Sequence, residues 1–233
     1  MGDNAVAVVT GASRGIGLEI AKFLTSEGYE TISLSRTPPS IESKLIHIET
    51  DLTSMESIQQ AFIKIKKEFG RVDVLINNAA VLKSQYLMIT PEQSISSMID
   101  TNLTGSIFVS REAIKIMRKR QFGRIIMISS MATALKPIGD AVYAASKAGL
   151  ETFSSILARE CQSIGITSNV LAISAFDTEM YRSLSPENVQ KVVDGIPIPG
   201  FVSVEDITNV VDFLISTRSG GITAQIIRLG GVS

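Results

Sequence analysis

The chain is poor in cysteine, histidine and net charge: its 233 residues include one cysteine and one histidine, and the formal net charge is −1. A single cysteine, Cys161, cannot form an internal disulfide, and we interpret it as a small buried thiol rather than a nucleophile. The only histidine, His47, lies among apolar residues of a predicted strand, so we interpret it as structural. No paired Cys or His pattern predicts a metal site.

The small net charge and the lack of long apolar runs exclude further classes. A net charge of −1 gives no global attraction to nucleic acid or to an anionic membrane. No apolar stretch approaches the ~20 residues that span a bilayer. The N-terminus enters a predicted strand almost at once, which leaves no room for a signal or transit peptide. We therefore expect a reducing, cytoplasmic setting without nucleic-acid or membrane partners.

A glycine-rich turn follows the first apolar run. Ala5–Val9 leads into Thr10–Gly17, after which a helical pattern begins. In this strand–turn–helix order Gly11 permits a tight turn, Gly15 lets the backbone approach a pyrophosphate, and Gly17 lets helix and strand pack closely. The helix N-terminus presents N–H groups and a positive dipole to phosphates. The spacing G-x-x-x-G-x-G in this context favours dinucleotide binding over a plain tight turn.

Apolar runs alternate with helical patterns along the whole chain. This alternation predicts one α/β domain over residues 1–233, a doubly wound Rossmann-type fold with a parallel sheet of about seven strands and helices on both faces. The predicted strands are Ala5–Thr10, Glu30–Ser35, Leu45–Thr50, Val72–Asn77, Arg124–Ser129, Thr167–Ala172 and Gln225–Leu229. The predicted helices are Ile16–Glu27, Met55–Phe69, Pro91–Lys119, Val142–Ser163 and Val204–Ser216.

Tyr143 and Lys147 lie four residues apart, on one face of a predicted helix. A phenol titrates near pH ~10 and an ammonium near ~10.4, and a cation beside a phenol lowers the pKa of that phenol. The pair is therefore suited to proton transfer near neutral pH. By itself, the spacing is more typical of a half-buried tyrosine beside a solvated lysine, so the rest of the chain has to decide.

Further motifs accompany this pair in order along the chain. They are Asp51-Leu52-Thr53, Asn77-Asn78-Ala79-Ala80, Thr101-Asn102-Leu103, Ile128-Ser129-Ser130 and Tyr143-Ala144-Ala145-Ser146-Lys147. With Ser130 placed 13 residues before Tyr143, the series resembles the short-chain dehydrogenase/reductase family, from Val6 to about Gly231. Segments 71–78, 123–126 and 165–170 are most similar to its 3-oxoacyl-[acyl-carrier-protein] reductases.

The resemblance implies four catalytic residues. Tyr143 would give its proton to a carbonyl oxygen as hydride arrives from the nicotinamide, and Ser130 would hydrogen-bond the same oxygen. Lys147 would bind the nicotinamide ribose and lower the pKa of Tyr143, while Asn102 would hold a water for a proton relay. In isolation, Ser130 reads as a strand-end serine and Asn102 as a cap that distorts a helix.

The resemblance also implies a set of cofactor contacts. These are Gly11, Ser13, Arg14, Gly15, Ile16, Gly17, Arg36, Asp51, Leu52, Asn78, Ala79, Tyr143, Lys147, Phe176 and Thr178. Arg36 ends the second predicted strand, where NAD-binding proteins carry an Asp or Glu for the ribose 2′-hydroxyl. A guanidinium binds a 2′-phosphate in a fork, and Arg14 lies in the glycine turn. We therefore expect NADP; the alternative is that Arg36 is a solvated loop arginine.

Two departures from the family pattern concern the substrate pocket. Ile173-Ser174 stands where relatives usually have Pro-Gly, and Pro199-Gly200 stands where they have Gly-Arg. Both lie at or in Ala175–Gly200, which by resemblance is the substrate-binding segment. We expect reduction of a ketone or acyl thioester by NADPH. The alternatives are an oxidoreductase for other ketones or alcohols and an NADP-sensing regulator without catalysis, which the intact catalytic residues disfavour.

Two kinds of partner follow from the resemblance. An acidic carrier protein needs a basic docking face, and a basic cluster is formed by Lys115, Arg118, Lys119, Arg120 and Arg124, although a solvated helix end has the same composition. The family also implies a homo-oligomer, most simply a tetramer, through its two long helices. Extra apolar surface there would come from Leu150, Phe153, Ile156 and Leu157, unless all four pack inward.

Overall fold

The computed structural model describes residues 5–39, 44–174, 176, 197–198 and 200–231. Within these ranges seven strands form one parallel sheet in the order β3-β2-β1-β4-β5-β6-β7. The strands are β1 Val6–Thr10, β2 Glu30–Ser35, β3 Ile46–Glu49, β4 Val74–Asn77, β5 Gly123–Ser130, β6 Ile166–Ile173 and β7 Ile226–Arg228. The strand order reverses between β1 and β4, and such a switch point is where ligands bind in these sheets.

Helices cover both faces of the sheet. They are α1 Gly15–Ser26, α2 Met55–Glu68, α3 Glu92–Ile99, α4 Gly105–Met117, α5 Ala132–Leu135, α6 Ala141–Cys161 and α7 Val204–Ile215. One apolar core lies between the sheet and α2, α4 and α6, and a second lies between the sheet and α1 and α7. The doubly wound α/β prediction is therefore confirmed.

The first long predicted helix, Pro91–Lys119, contains a π-helical insertion. A π-helical segment, Asp100–Thr104, separates α3 from α4 and carries the fully buried Asn102. A π turn inserts one residue into the helical repeat, so it re-aims a side chain without ending the helix. The apolar period of the sequence survives on both sides of the insertion. The helical pattern predicted over Pro91–Lys119 is therefore present from Glu92 to Met117, with the π insertion inside it.

The two rare residues have structural roles. Cys161 is buried at the end of α6, and burial raises the pKa of its thiol. His47 Nε2 lies 3.0 Å from the carbonyl oxygen of Ser35 on the neighbouring strand. Among the described residues, no group of three or more His, Cys, Asp or Glu could hold a metal ion. In the same part of the chain, no helix has the length and apolar character needed to cross a membrane.

Candidate active site

The glycine turn lies at the carboxyl end of β1, where the sheet order reverses. Gly11 and Gly15 have φ of +67° and +60°, which glycine adopts without strain. A Cβ on Gly11 would lie 2.8 Å from the Cα of Ala79, so the turn packs directly on the end of β4. Apart from its chain neighbours and the backbone of its own helix, no atom of the described residues lies within 4 Å of a Cβ position at Gly15. The backbone at the start of α1 is therefore open to a ligand.

Thr10 and Asn78 join the two strand ends at the switch point. The Thr10 hydroxyl accepts hydrogen bonds from the backbone N–H groups of Asn78 and Ala79, both at 3.0 Å. The Asn78 amide donates to the carbonyl oxygens of Thr10 at 3.0 Å and Gly11 at 3.3 Å. It occupies the space that a side chain at Gly17 would need. Sequence analysis missed Thr10, whose signal is its place immediately before the first glycine.

The expected helix-terminal contacts surround this turn. Arg14 is the N-cap of α1, with extended backbone, and the first turn of the helix has no acidic residue. Ser13 is half-buried, and Ile16 packs against the core beneath α1. The open backbone and the absence of a nearby carboxylate in this turn fit a pyrophosphate group.

Arg36 and Asp51 follow neighbouring strands at the same edge of the sheet. Arg36 is exposed directly after β2. Hydrogen bonds from the backbone and hydroxyl of Thr53 hold the pKa of Asp51 below its usual value, and the Arg36 charge adds to this. Leu52 is buried, and its carbonyl oxygen would lie 2.6 Å from a Cβ on Gly105. The edge therefore offers a guanidinium where the sequence predicts recognition of a 2′-phosphate.

The π-helical segment aims Asn102 inward. Its Oδ1 accepts a hydrogen bond from the N–H of Val81 at 2.8 Å, and its Nδ2 donates to the carbonyl oxygen of Val81 at 3.0 Å. The same Nδ2 lies 3.1 Å from the hydroxyl of Ser146, which donates to the carbonyl oxygen of Tyr143 at 2.7 Å. Asn102 thus links the loop after β4 to the helix that carries Tyr143. Ser146 is a second residue that sequence analysis did not single out.

Ser130, Tyr143 and Lys147 come together at the carboxyl end of β5. Ser130 is the last residue of that strand, and its hydroxyl lies close enough to Tyr143 on α6 to lower the pKa of the phenol. Lys147, one turn further along, is buried and donates to the carbonyl oxygen of Ile128 at 2.8 Å. Its Nζ lies 5.9 Å from the centre of the Tyr143 ring. The hydroxyl pair and the ammonium therefore line one site.

The pKa relation between the two α6 residues differs from the expectation. Burial raises the pKa of Tyr143; the Ser130 hydrogen bond lowers it, and Asp140 raises it again. Burial also lowers the pKa of Lys147 from 10.5 to about 8. The predicted lowering of the Tyr143 pKa by Lys147 is wrong for this arrangement. The ammonium binds a backbone carbonyl rather than the phenol, and burial is the largest cause of the raised pKa of Tyr143.

The strand end after β6 tolerates the change from the family pattern. Ile173 is the last residue of β6 and pairs with Ser130, and Ser174 is not among the residues with positive φ. Phe176 packs partly against the core beneath α1 and α7. Thr178 and the rest of segment 177–196 lie outside the described residues. The Ser-for-Gly change therefore requires no left-handed backbone.

The basic cluster lies away from this site. Arg124 is buried at the start of β5, where it donates to the carbonyl oxygens of Ser216 and Gly123. Lys115 pairs with Glu112 at 2.7 Å. Arg118 follows α4, at the amino edge of the strands, opposite the edge that carries Tyr143. The structure does not favour this cluster as a docking face for a carrier that delivers substrate to Tyr143.

The fold and the site together define a Rossmann-type nucleotide-binding protein with a Ser–Tyr–Lys site at the carboxyl edge of its sheet. The family model of the short chain dehydrogenases matches residues 5–189, and the chain belongs to that family. It is therefore an oxidoreductase of the type that interconverts CH–OH and C=O groups with a nicotinamide cofactor.

Individual relatives agree with this placement over nearly the whole chain. The 3-oxoacyl-[acyl-carrier-protein] reductase FabG of Escherichia coli strain K12 is 34% identical over 98% of this chain and 97% of its own. The reductase MabA of Mycobacterium avium is 33% identical over 96% and 88%. A crystal structure of an actinorhodin polyketide ketoreductase variant with NADPH superposes with a TM-score of 0.89, at 27% identity over 98% and 96%.

Proposed function

We propose that the protein is an NADPH-dependent carbonyl reductase that reduces a ketone, with 3-oxoacyl thioesters as its substrate class. The observation that carries the proposal is the approach of the Ser130 hydroxyl to Tyr143, with the buried Lys147 ammonium on the same helix. A ketone that accepts hydride becomes an alkoxide, so a pre-placed donor has to meet the developing charge. Two neutral hydroxyls at one point can do so without adding a fixed charge.

The cofactor would supply the hydride. We infer that the turn with Gly11, Gly15 and Gly17 holds its pyrophosphate and that Arg36 selects the 2′-phosphate of NADP. The open backbone at Gly15 and the exposed guanidinium at the end of β2 support this. Asp51 lies close enough to Arg36 for the two charges to interact, and one of its carboxyl oxygens accepts two hydrogen bonds from Thr53.

Tyr143 is the general acid in this proposal. Because burial raises its pKa, the phenol keeps its proton at neutral pH and can donate it to the substrate oxygen. Ser130 then hydrogen-bonds the same oxygen and orients the ketone. Lys147, with a pKa of about 8, still carries a proton at pH 7 and can return one toward the phenol. Asn102 positions this helix through Ser146.

The substrate class rests on the relatives. Two relatives that match almost end to end are named as 3-oxoacyl-[acyl-carrier-protein] reductases, and the structural neighbour is a polyketide ketoreductase. The names 3-oxoacyl reductase and polyketide ketoreductase both describe reduction of a ketone on an acyl chain. An acyl-carrier protein would then be the partner that presents the thioester, on the carboxyl edge of the sheet.

Steady-state oxidation of NADPH with acetoacetyl thioesters, simple diketones and quinones tests the proposal. We expect the thioesters to give the highest kcat/KM. Tyr143→Phe should keep NADPH binding and lose ~10²–10⁴-fold in kcat, because the ring remains while the proton donor is removed. Tyr86→Phe, at an exposed tyrosine, serves as the matched control.

Two outcomes would overturn this proposal. If Tyr143→Phe keeps the turnover of the wild type, Tyr143 is not the general acid. Tight binding of NADPH without oxidation by any ketone would instead favour the alternative of a nucleotide-sensing protein.

A further inference from the structure

The catalytic helix carries a third polar residue on the face of Tyr143 and Lys147. Glu151 follows Lys147 by four residues, which places it one helical turn further on the same side. Its Oε1 accepts a hydrogen bond from the hydroxyl of Ser129 at 2.7 Å and from that of Thr133 at 2.8 Å. The two donors lie on either side of Ser130 in the chain.

The carboxyl group of Glu151 is mostly removed from water, with 12% of the side chain exposed. Burying such a group is costly unless its oxygens are hydrogen-bonded and its charge is paired. The hydroxyls of Ser129 and Thr133 satisfy Oε1, and Arg228 at the end of β7 lies 3.5 Å from Oε2. Three elements outside α6 therefore converge on one carboxyl group.

These contacts bear directly on the position of Ser130. The Thr133 hydroxyl also lies 3.0 Å from the carbonyl oxygen of Ser130, so its single hydrogen is shared between that oxygen and Glu151. The backbone N–H of Ala132 donates to the Ser130 hydroxyl at 3.2 Å. The segment that follows β5 thus folds back on Ser130 and is tied to α6 by the carboxyl group.

We propose that Glu151 is a positioning residue that fixes the Ser130 hydroxyl relative to Tyr143 and Lys147. This inference rests on the proposed reductase activity, in which Ser130 and Tyr143 hydrogen-bond one substrate oxygen. Lys147 binds the carbonyl of Ile128, and Glu151 binds the next residue, Ser129, so α6 grips β5 at consecutive positions. Loss of the hydrogen bond between Ser129 and Glu151 leaves Ser130 free to move while Tyr143 and Lys147 stay in place.

Three variants test whether Glu151 positions Ser130. Glu151→Leu removes the acceptor and should lower kcat by ~10–100-fold, the loss expected from a misplacement of about 1 Å at reacting groups. The Kd for NADPH should stay unchanged. Glu151→Gln keeps an oxygen acceptor for both hydroxyls and should recover most of the lost kcat. Glu160→Leu, at an exposed glutamate of the same helix, is the control and should match the wild type.

Hydrogen–deuterium exchange gives a readout that does not depend on turnover. Amides of residues 131–136 should exchange faster in Glu151→Leu than in the wild type, and Glu151→Gln should resemble the wild type. If Glu151→Leu does not fold, Thr133→Val removes one donor and keeps the carboxyl group. It should then show both effects at smaller size.

The outcomes separate this inference from the proposed function. If the wild type reduces no ketone but the variants show the expected exchange pattern, the reductase proposal is refuted and the positioning of Ser130 by Glu151 is supported. If the wild type is active and a folded Glu151→Leu has unchanged kcat and exchange, only the positioning role of Glu151 is refuted. Equal loss in Glu151→Leu and Glu151→Gln would also overturn it, because the acceptor would then not be the cause.

Discussion

At the scale of single residues, burial determines the charge states of the site. Tyr143 and Lys147 share one helix face, yet each titrates according to the water it has lost rather than according to the other. The phenol is held protonated and the ammonium is brought close to losing its proton. This combination suits proton donation during carbonyl reduction better than phenolate formation at neutral pH.

The burial of Lys147 predicts a pH-dependent stability. Because its pKa falls from 10.5 to about 8 on folding, the folded state binds the proton less tightly than the unfolded chain. Burying the charged Lys147 therefore lowers the free energy of unfolding by on the order of 3 kcal/mol below pH 8. This loss of stability disappears as the pH rises toward 10.5. We therefore expect Lys147→Met to be more stable than the wild type at pH 7, with a difference that shrinks by pH 10. Urea denaturation of the cofactor-free protein measures it, and a pH-independent difference would contradict the argument.

Arg36 predicts the choice of cofactor. Arg36→Ala should weaken NADPH by on the order of 1.5–3 kcal/mol, because a charge-assisted contact to the 2′-phosphate is lost. NADH, which lacks that phosphate, should bind almost as before. Fluorescence titration of both cofactors measures the two Kd values, with Arg118→Ala at the opposite sheet edge as the control. Equal weakening of NADPH and NADH would count against the assignment.

At the scale of elements, the π-helical segment gives Asn102 an orientation that a regular α-helix would not give it. It turns Asn102 toward the loop after β4, where the side-chain amide pairs with both backbone groups of Val81. The same amide reaches Ser146 on α6. An inserted residue thereby couples three elements around the site while α3 and α4 continue on either side.

Asn102→Ala should destabilise the protein by ~1–3 kcal/mol, because it leaves a backbone N–H and C=O of Val81 without these partners in a partly buried setting. Asn209→Ala, at an exposed position of α7, should change the free energy of unfolding by less than ~0.5 kcal/mol. Chemical denaturation of both variants decides the point. A loss in Asn102→Ala no larger than that of the control would show that the pairing contributes little.

At the scale of the whole molecule, the assembly remains a prediction. Leu150 and Leu157 are buried within the chain, and Phe153 packs partly against the core, so three of the four expected interface residues pack inward. Ile156 is 53% exposed on α6. A further exposed apolar run, Tyr86–Ile89, precedes α3. A two-fold contact would bury such surface on each subunit.

We expect a homotetramer by light scattering at micromolar concentration. Ile156→Glu should shift the protein to smaller species and lower its activity, because a contact along α6 would brace the helix of Tyr143 and Lys147. Ile63→Glu, at an equally exposed isoleucine of α2, is the control and should not change the mass. A fully active monomer of about 25 kDa would refute both the assembly and its catalytic role.

The sequence by itself determined the order and type of the strands and of the long helices. Alternating apolar runs and helical patterns predicted all seven strands, since a strand buried on both faces must be apolar and short. The glycine turn and the spacing of Ser130, Tyr143 and Lys147 predicted the edge of the sheet where they meet. These features are local in sequence, so local patterns report them.

Only the tertiary structure decided the rest. The π insertion at Asn102, the pKa directions of Tyr143 and Lys147 and the grip of Glu151 on Ser129 and Thr133 all depend on groups far apart in the chain. Burial and hydrogen bonding between α6, β5 and the loop after β4 set them. A pattern of residue types cannot measure how much water a side chain loses or which distant oxygen it meets, and those two quantities fix the chemistry of the site.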